Sequence, residues 1–340
     1  MTPPTCPEAL IVMGREVFEA QFDESRLERL KAMASLPEPI WTDELTSEQI
    51  RTRLSGVEVL LTGWDAPVLD AAALARMPNL RLMIHCAGTI RPFVSEAFWE
   101  RGIRACNVAD VNAIPVAEYT LAAVIMSGKA APFLGASLRA FRDDWTRPDR
   151  FGRLGNVSRT VGVVGFSRVG RRVVAALQQL QDVTVLVYDP YADPLEVAQA
   201  GGVPASLDEL LATVDVLSLH APELPETRHM IGAAQLAALR DHATLINTAR
   251  GSLVDTAALE RECASGRLNA ILDVTDPEPL PASSVLYDLS NVLITPHIAG
   301  SLGTELYRMT DAALDELERY TTGLPLTTEL DSEEYLRLSA

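Results

Sequence analysis

Short apolar runs that alternate with helix-like stretches constrain the fold of this chain more than any other feature. In the first third, helix-like stretches at 71–77 and 94–102 separate strand-like segments at 57–63, 80–88 and 102–108. The pattern restarts at Thr160, with a helix predicted at 168–180 and strands at 160–165, 183–189, 214–221, 243–249, 268–274 and 292–297. Strands that alternate with helices predict parallel sheets covered on both faces. We therefore expect an α/β protein with two parallel-sheet domains.

The length of 340 residues also favours two domains, at roughly 150 residues per domain. We predict that residues 1–112 form the first part of a substrate-binding domain and that 113–298 form a dinucleotide-binding domain. Residues 299–340 are expected to return to the first domain, and a cleft is expected between the two. The final helix is predicted over 304–320, where one helical stripe carries Leu306, Met309, Ala313, Leu317 and Tyr320.

A long stretch at 115–138 is apolar nearly all round and is predicted to be one buried or interface helix. We expect it to pair with its copy in a homodimer, because an apolar face of that size rarely stays in water. No apolar run is judged to reach the roughly 18 residues that span a bilayer. The first residues lack the basic region of a signal peptide, so a cytoplasmic location is expected.

The net charge of −17 limits the classes of partner. An acidic surface repels the phosphates of nucleic acids and anionic lipids, so neither a nucleic acid nor a membrane partner is expected. A small anionic substrate would need a locally positive pocket. The four cysteines are far apart, with no CxxC motif and no cluster with histidine, so no metal site is predicted.

The strand predicted at 160–165 runs into the sequence Gly165-Phe166-Ser167-Arg168-Val169-Gly170 and then a helix. This GxSxxG pattern differs from the dinucleotide fingerprint GxGxxG only at Ser167. Gly165 permits the tight turn, Gly170 allows close helix packing, and the helix N-terminus attracts a pyrophosphate. Asp189 lies 24 residues after Gly165, where an acid binds ribose hydroxyls and repels a 2′-phosphate. NAD is therefore favoured over NADP; the alternative is a strand–turn–helix that binds nothing.

Polar residues follow the later strands of the second series, where ligands of parallel sheets bind. Each one alone could be a salt-bridge or turn residue, but together they suit a polar ligand. They are His220, Thr248, Ala249, Arg250, Asp273, Glu278 and His297.

With these residues in place, the sequence resembles the D-isomer-specific 2-hydroxyacid dehydrogenases. That family includes D-glycerate, phosphoglycerate, formate and phosphite dehydrogenases. The similar stretches cover nearly the whole chain: TVGVVGFSRVGRRV, DVLSLHAPELPETRHMI, ATLINTARGSLVDTAAL, AILDVTDPEPLP and NVLITPHIAGS. The resemblance implies two Rossmann-like or flavodoxin-like domains and a transfer of hydride between NAD(H) and a small 2-hydroxy or 2-keto acid.

The resemblance also implies roles for individual residues. Arg250 would orient the substrate, His297 would act as acid and base, and Glu278 would hold the imidazole. The resemblance places Arg168 and Val169 on the pyrophosphate, Thr227 near a phosphate, Thr248 and Asp273 near the nicotinamide, and backbone of 297–300, including Gly300, along the cofactor.

The substrate loop of the family, typically GxGxD, corresponds here to Ala87-Gly88-Thr89-Ile90-Arg91. Gly88 and Thr89 are predicted to bind the substrate carboxylate. Arg91 stands where an acid is usual and is either a second cation for a doubly anionic substrate or a structural residue. Trp64, after a strand, either caps the pocket or packs at the strand end. Asn112 matches a family position near the substrate.

Three functions stay open. The first is an NAD-dependent reductase of a small 2-keto acid. The second is an enzyme for a phosphonate, phosphate or dicarboxylate substrate that uses Arg91. The third is a non-catalytic NAD(H)-sensing interaction protein, against which the set of Arg250, Glu278 and His297 argues, because a sensor needs no such set.

Overall fold

The computed structural model describes residues 6–138, 142 and 148–332 of the chain. By its internal contacts the chain divides into two compact units, which we call the first and the second unit. The first unit comprises Met1–Asn112 with Ser301–Ala340, and the second comprises Ala113–Gly300. Residues 143–147, at the start of the polar stretch before the second strand series, lie outside the described residues. Each unit contains a parallel sheet, so the predicted α/β class is confirmed.

The helices and strands agree with the sequence pattern in most places. In chain order they are β1 (Ala9–Val12), α1 (Arg15–Gln21), α2 (Glu24–Met33), β2 (Trp41–Thr42), α3 (Glu48–Leu54), β3 (Val59–Thr62), α4 (Ala71–Ala75), β4 (Leu82–His85), α5 (Glu96–Glu100), β5 (Arg104–Asn107), α6 (Ala109–Gly128), α7 (Ala131–Ser137), β6 (Arg159–Val164), α8 (Arg168–Leu177), β7 (Val183–Tyr188), α9 (Pro194–Gln199), β8 (Val203–Pro204), α10 (Leu207–Thr213), β9 (Val216–Leu219), α11 (Ala233–Ala238), β10 (Thr244–Asn247), α12 (Thr256–Ala264), β11 (Asn269–Leu272), β12 (Val292–Ile294) and α13 (Glu305–Thr321). Short 3₁₀ turns lie at Arg91–Phe93, Pro148–Phe151, Pro225–Thr227, Gly251–Leu253 and Val285–Tyr287.

The described part of the first unit contains a five-stranded parallel sheet with the order β2-β1-β3-β4-β5. This is the strand order of flavodoxin-like folds. Strands β1, β3 and β4 are buried at every position, as expected when helices cover both faces of a parallel sheet. The sequence analysis missed β1, whose ALIV run is short and follows a proline-rich start, and it missed the two-residue strands β2 and β8.

Helix α13 belongs to the first unit, as the apolar stripe predicted. Leu306, Met309, Ala313 and Leu317 are buried in the cluster that includes Ile11 and Leu61 of the sheet, and Tyr320 packs against it. Hydrogen bonds and ion pairs from Arg26 and Arg29 of α2 to acids of α13 border this apolar contact. The C-terminal segment therefore completes the core of the first unit.

The described part of the second unit contains a seven-stranded parallel sheet with the order β12-β11-β10-β9-β6-β7-β8. The chain builds outward from β6 through β7 and β8, and then continues from β9 on the other side. The strand order therefore reverses beside β6, which is where open parallel sheets bind ligands. Apolar clusters cover both faces of this sheet.

The apolar stretch at 115–138 is not one helix. Helix α6 ends at Gly128, Ala130 has a φ of 47°, and α7 begins at Ala131. Hydrophobic periodicity did not reveal the break, because apolar residues continue across it. By length and composition α6 is long and apolar enough to cross a membrane, so the expectation that no stretch reaches that length was wrong. Half of its most apolar window is buried inside the protein, which is typical of a core helix.

Candidate active site

One row of paired residues crosses the second sheet close to the ends of its strands. Leu219 of β9 is paired with Val164 of β6 and with Asn247 of β10, and Leu272 of β11 is paired with Asn247 and with Ile294 of β12. Tyr188 of β7 is paired with Val164 on the other side. The residues that come next in the chain therefore lie along one edge. They are Gly165, Asp189, His220, Thr248, Asp273 and Thr295.

The predicted phosphate turn has the geometry that its glycines suggest. Gly165 has a φ of 95°, and a Cβ there would lie 2.5 Å from the amide nitrogen of Ala221. A Cβ at Gly170 would overlap the carbonyl oxygen of Gly165. Ser167 is exposed and caps the start of α8 without a side-chain hydrogen bond to the helix. The backbone cradle and the amides that open α8 fit a pyrophosphate.

Asp189 follows β7 beside this turn. One carboxylate oxygen accepts a hydrogen bond from the Phe166 amide at 2.7 Å, and the other accepts from the Tyr191 amide at 2.9 Å. Arg168 is the exposed first residue of α8, and Val169 packs partly into the cluster beneath it. The structure thus brings these predicted cofactor residues together at the end of β6.

His220 and Thr227 follow β9. The His220 imidazole is buried, its Nε2 lies 2.8 Å from the Ser218 hydroxyl, and its Nδ1 has no hydrogen-bond partner among the described residues. Burial lowers the pKa of His220 to about 3, so the ring is neutral at physiological pH. The Thr227 hydroxyl accepts from the Leu224 amide at 2.9 Å and donates to the Pro222 carbonyl at 2.7 Å. Thr227 therefore closes the loop after β9.

Arg250 is presented by a loop that Asn247 ties together. The Asn247 side chain accepts from the Ala249 amide at 3.0 Å and donates to the Arg250 carbonyl at 2.9 Å. The hydroxyl of Thr248 is buried and lies 3.0 Å from that of Thr120 on α6. The Arg250 guanidinium is exposed and donates to the Ala249 carbonyl at 2.6 Å. The arrangement leaves most of its donors for an anionic ligand.

His297 and Glu278 form the pair that an acid–base site needs. Nδ1 of His297 lies 2.7 Å from Oε1 of Glu278, and the side chains are 51% and 44% exposed. A carboxylate at Nδ1 fixes the tautomer that carries a hydrogen there and leaves Nε2 for proton exchange. The two residues are 19 positions apart in the chain, on the loops that follow β11 and β12.

Asp273 holds the backbone around His297. Its buried carboxylate accepts from the Thr295 hydroxyl at 2.6 Å and from the amides of Ile298 and Ala299 at 2.8 and 2.9 Å. His297 itself has a φ of 54°. Three hydrogen bonds to one buried carboxylate fix the 295–299 loop, and Gly300 ends the second unit just beyond it. The role of Asp273 near a nicotinamide stays a prediction.

The loop from Cys86 to Arg91 lies at the corresponding edge of the first sheet. The Cys86 amide donates to the Thr62 carbonyl at 2.7 Å, and the Ala87 carbonyl accepts from the Val108 amide at 3.1 Å. The buried Gln21 side chain donates to the Cys86 carbonyl at 3.0 Å. Burial raises the pKa of the Cys86 thiol to about 12, so it stays protonated and unreactive.

The predicted substrate residues of the first unit cluster around this loop. The Asn112 Nδ2 atom lies 4.0 Å from where a Cβ of Gly88 would be, and Asn112 Oδ1 accepts from the Ser301 amide at 3.0 Å. The Thr89 hydroxyl accepts from the Arg91 amide at 3.3 Å, and Arg91 begins a 3₁₀ turn. Trp64 packs against the apolar cluster, which supports its packing role.

Sequence reasoning missed several residues that shape this site. Gln21, Tyr119, Thr120 and Thr295 each place a polar group against a predicted site residue or its loop. A polar residue within an otherwise apolar stretch was the available signal for Tyr119 and Thr120. Their partners lie more than 120 residues away, so the pairing requires the tertiary structure.

Comparisons with known proteins agree with this geometry. Residues 125–299 match the family model described as "D-isomer specific 2-hydroxyacid dehydrogenase, NAD binding domain". The chain is 33% identical to D-3-phosphoglycerate dehydrogenase of Mycobacterium tuberculosis over 274 residues, which is 79% of this chain and 50% of that protein. It is 30% identical to glycerate dehydrogenase of Methylorubrum extorquens over 288 residues, which is 82% of this chain and 88% of that protein.

A solved structure extends the likeness to the fold. The TT0316 protein of Thermus thermophilus superimposes with a TM-score of 0.73 and 30% identity, covering 95% of this chain and all of that one. The chain spans about half the length of the phosphoglycerate dehydrogenases that it matches. The matched region includes the phosphate turn, the Arg250 loop, Glu278 and His297. The chain therefore belongs to the D-isomer specific 2-hydroxyacid dehydrogenase family.

Proposed function

We propose that this chain is an NAD-dependent 2-hydroxyacid dehydrogenase that interconverts a small anionic 2-hydroxy acid and its 2-keto acid. The observation that carries the proposal is the 2.7 Å pair of His297 and Glu278 at the sheet edge that also holds the phosphate turn. Relatives named as dehydrogenases of phosphoglycerate and glycerate support the substrate class.

The cradle of Gly165 and Gly170, the start of α8 and Asp189 would hold the cofactor. NAD, when bound, supplies or accepts the hydride at carbon 2 of the substrate. The carboxylate of Asp189 favours NAD over NADP, because it would repel a 2′-phosphate.

Arg250 binds the carboxylate and the reacting oxygen of the substrate through charge-assisted hydrogen bonds. His297 donates a proton from Nε2 to this oxygen as the keto acid is reduced, and removes that proton in the oxidising direction. Glu278 accepts the Nδ1 hydrogen and stabilises the positive imidazolium before proton donation. His297 regains its proton from water after the product leaves.

For the first unit we propose that the loop of Gly88 and Thr89, with Asn112, binds the acid group of the substrate. A second candidate is a doubly anionic substrate, for which Arg91 supplies another positive charge. The match to phosphoglycerate dehydrogenases favours this candidate. We also propose a cytoplasmic homodimer paired through α6, where Ile125 and Met126 are exposed, and sedimentation at micromolar concentration tests it.

The test is NADH consumption with glyoxylate, pyruvate, hydroxypyruvate, oxaloacetate and phosphonopyruvate. Wild type is compared with His297→Asn and with His242→Asn as a matched control. Both histidines have positive φ, at 54° and 64°, a conformation that asparagine tolerates. We expect His297→Asn to lower kcat by about 10²–10⁴ and His242→Asn to change it less than about twofold.

Arg91→Ala in the same series decides between the two substrate classes. A selective loss of the dianionic acids would assign Arg91 to the substrate, and an unchanged preference would leave it structural. Tight NADH binding without turnover of any acid would contradict the proposed enzyme and favour the NAD(H)-sensing alternative.

A further inference from the structure

A hydroxyl on helix α6 reaches the loop that carries His297. The Tyr119 hydroxyl lies 2.8 Å from the Thr295 hydroxyl, and the Thr295 hydroxyl lies 2.6 Å from Oδ1 of Asp273. All three residues belong to the second unit. The residues assigned to the proposed reaction do not include Tyr119, although it is the outer end of this chain of hydrogen bonds.

The direction of the hydrogen bonds follows from the donors available. A carboxylate of Asp273 only accepts, so the single hydrogen of Thr295 is used in that bond. Thr295 therefore accepts from Tyr119, which donates. Half-burial raises the pKa of Tyr119, so its hydroxyl keeps the hydrogen that this direction needs. The order of donation is Tyr119 to Thr295 to Asp273.

The inner end of the chain of hydrogen bonds is the backbone of the catalytic loop. The carboxylate of Asp273 accepts from the amides of Ile298 and Ala299, and its carbonyl accepts from the amide of His297 at 2.9 Å. A histidine with φ of 54° adopts an uncommon backbone conformation, which neighbouring contacts must hold. The hydrogen bonds around Asp273 supply those contacts.

We propose that Tyr119 is a positioning residue for His297, acting through Thr295 and Asp273. The proposal rests on the proposed function, because His297 is its acid and base. By donating to Thr295, Tyr119 orients the hydroxyl that Asp273 binds and so keeps the loop in the conformation that pairs His297 with Glu278. The distance of an acid–base group from its substrate sets its rate, and small misplacements of about 1 Å cost up to about 10²-fold.

The matched control lies two turns along the same helix. The Ser127 hydroxyl is also buried, but it donates to the Val124 carbonyl of its own helix at 2.8 Å. Ser127→Ala therefore removes a buried hydroxyl from α6 without touching the loop. Tyr119→Phe removes only the hydroxyl and keeps the ring that packs against the apolar cluster.

The first measurement is hydrogen exchange of the unliganded protein, followed by mass spectrometry of peptides that cover 295–300. The amides of Ile298 and Ala299 are protected by Asp273, so we expect them to exchange about tenfold faster in Tyr119→Phe. Peptides of β10 serve as an internal reference for global unfolding. Ser127→Ala is expected to leave both regions unchanged.

The second measurement separates kcat from cofactor binding. We expect Tyr119→Phe to lower kcat about tenfold and to change the Kd for NADH less than twofold. If Tyr119 acts through Thr295, its effect disappears in a Thr295→Val background, so the double variant matches Thr295→Val alone.

Each result decides the proposal. Faster local exchange with a lower kcat and a non-additive double variant supports it. Unchanged exchange at 295–300, an unchanged kcat, or fully additive effects would overturn it. If the wild type reduces none of the keto acids, the proposed function fails, whereas the exchange experiment still decides whether Tyr119 fixes the His297 loop.

Discussion

The carboxyl ends of the two parallel sheets use their polar residues in different ways. In the first unit, Thr62 ends β3 and His85 ends β4; both are buried, and the Thr62 hydroxyl lies 2.9 Å from the His85 Nδ1. In the second unit, Arg250 and His297 follow β10 and β12 and are exposed. A histidine at a strand end is therefore structural in one sheet and a candidate acid–base group in the other. Burial and the nature of the partner, a hydroxyl or a carboxylate, make the difference.

The comparison predicts that charge at the edge of the second sheet carries the largest effect. Replacing Arg250 by glutamine keeps a hydrogen-bond donor but removes the charge and the forked geometry. We expect kcat/KM for the preferred keto acid to fall about 10²–10³-fold, with NADH affinity unchanged. Steady-state kinetics with Arg261→Gln, an exposed arginine of α12, gives the control. A loss below about tenfold would remove Arg250 from the proposed substrate site.

The turn at the end of β6 is expected to have the next largest effect, on cofactor binding. An alanine at Gly165 must adopt a φ of 95° and place its Cβ against the backbone of Ala221 and His220. We expect NADH affinity, measured by fluorescence titration, to fall about 10²-fold as the cradle is displaced.

Gly266→Ala is the matched control for this turn. Gly266 also has a positive φ, of 79°, but a Cβ there would meet nothing within 4 Å. It therefore reports the backbone strain alone. Equal NADH affinities for the two variants would show that the close approach at Gly165 does not support the cofactor site.

The smallest of the three effects tests the structural role of His85. Burial lowers the pKa of His85 to about 3, below the ordinary 6.5 of the unfolded chain. As pH falls from 6.5 towards 3, the unfolded chain binds a proton that the folded state excludes. The free energy of unfolding should therefore fall by about 1.4 kcal/mol per pH unit from this group.

Chemical denaturation at pH 7 and pH 5 measures that contribution. We expect the loss of stability between these pH values to be about 2 kcal/mol smaller in His85→Gln than in the wild type. His242→Asn, which changes an exposed histidine, should keep the wild-type difference. An equal loss in all three proteins would mean that His85 binds a proton in the folded state as readily as in the unfolded one.

The sequence was most informative where local chemistry repeats at each strand end. Buried runs followed by Gly165, Asp189, His220 and Asp273 predicted one polar edge, and the parallel register places these residues along it. The sequence also indicated that the stripe of α13 returns to the first sheet.

The sequence was least informative where a contact depends on distant residues. Nothing local distinguishes Tyr119 as a donor to Thr295, 176 residues away. The break at Ala130 was also hidden, because apolar residues follow it as they precede it. Asp273 was predicted for the cofactor from family resemblance, whereas its carboxylate also organises the His297 loop, a contact that no motif describes.

The return of α13 to the first unit has a consequence for synthesis on the ribosome. The second unit is continuous in sequence, whereas the first needs Leu306, Met309, Ala313 and Leu317 to cover one face of its sheet. Limited proteolysis of chains stalled shortly after residue 300 and after the last residue would reveal the order of folding. We expect the domain translated first to be the last to become compact, with its apolar face open to chaperones until the end of the chain emerges.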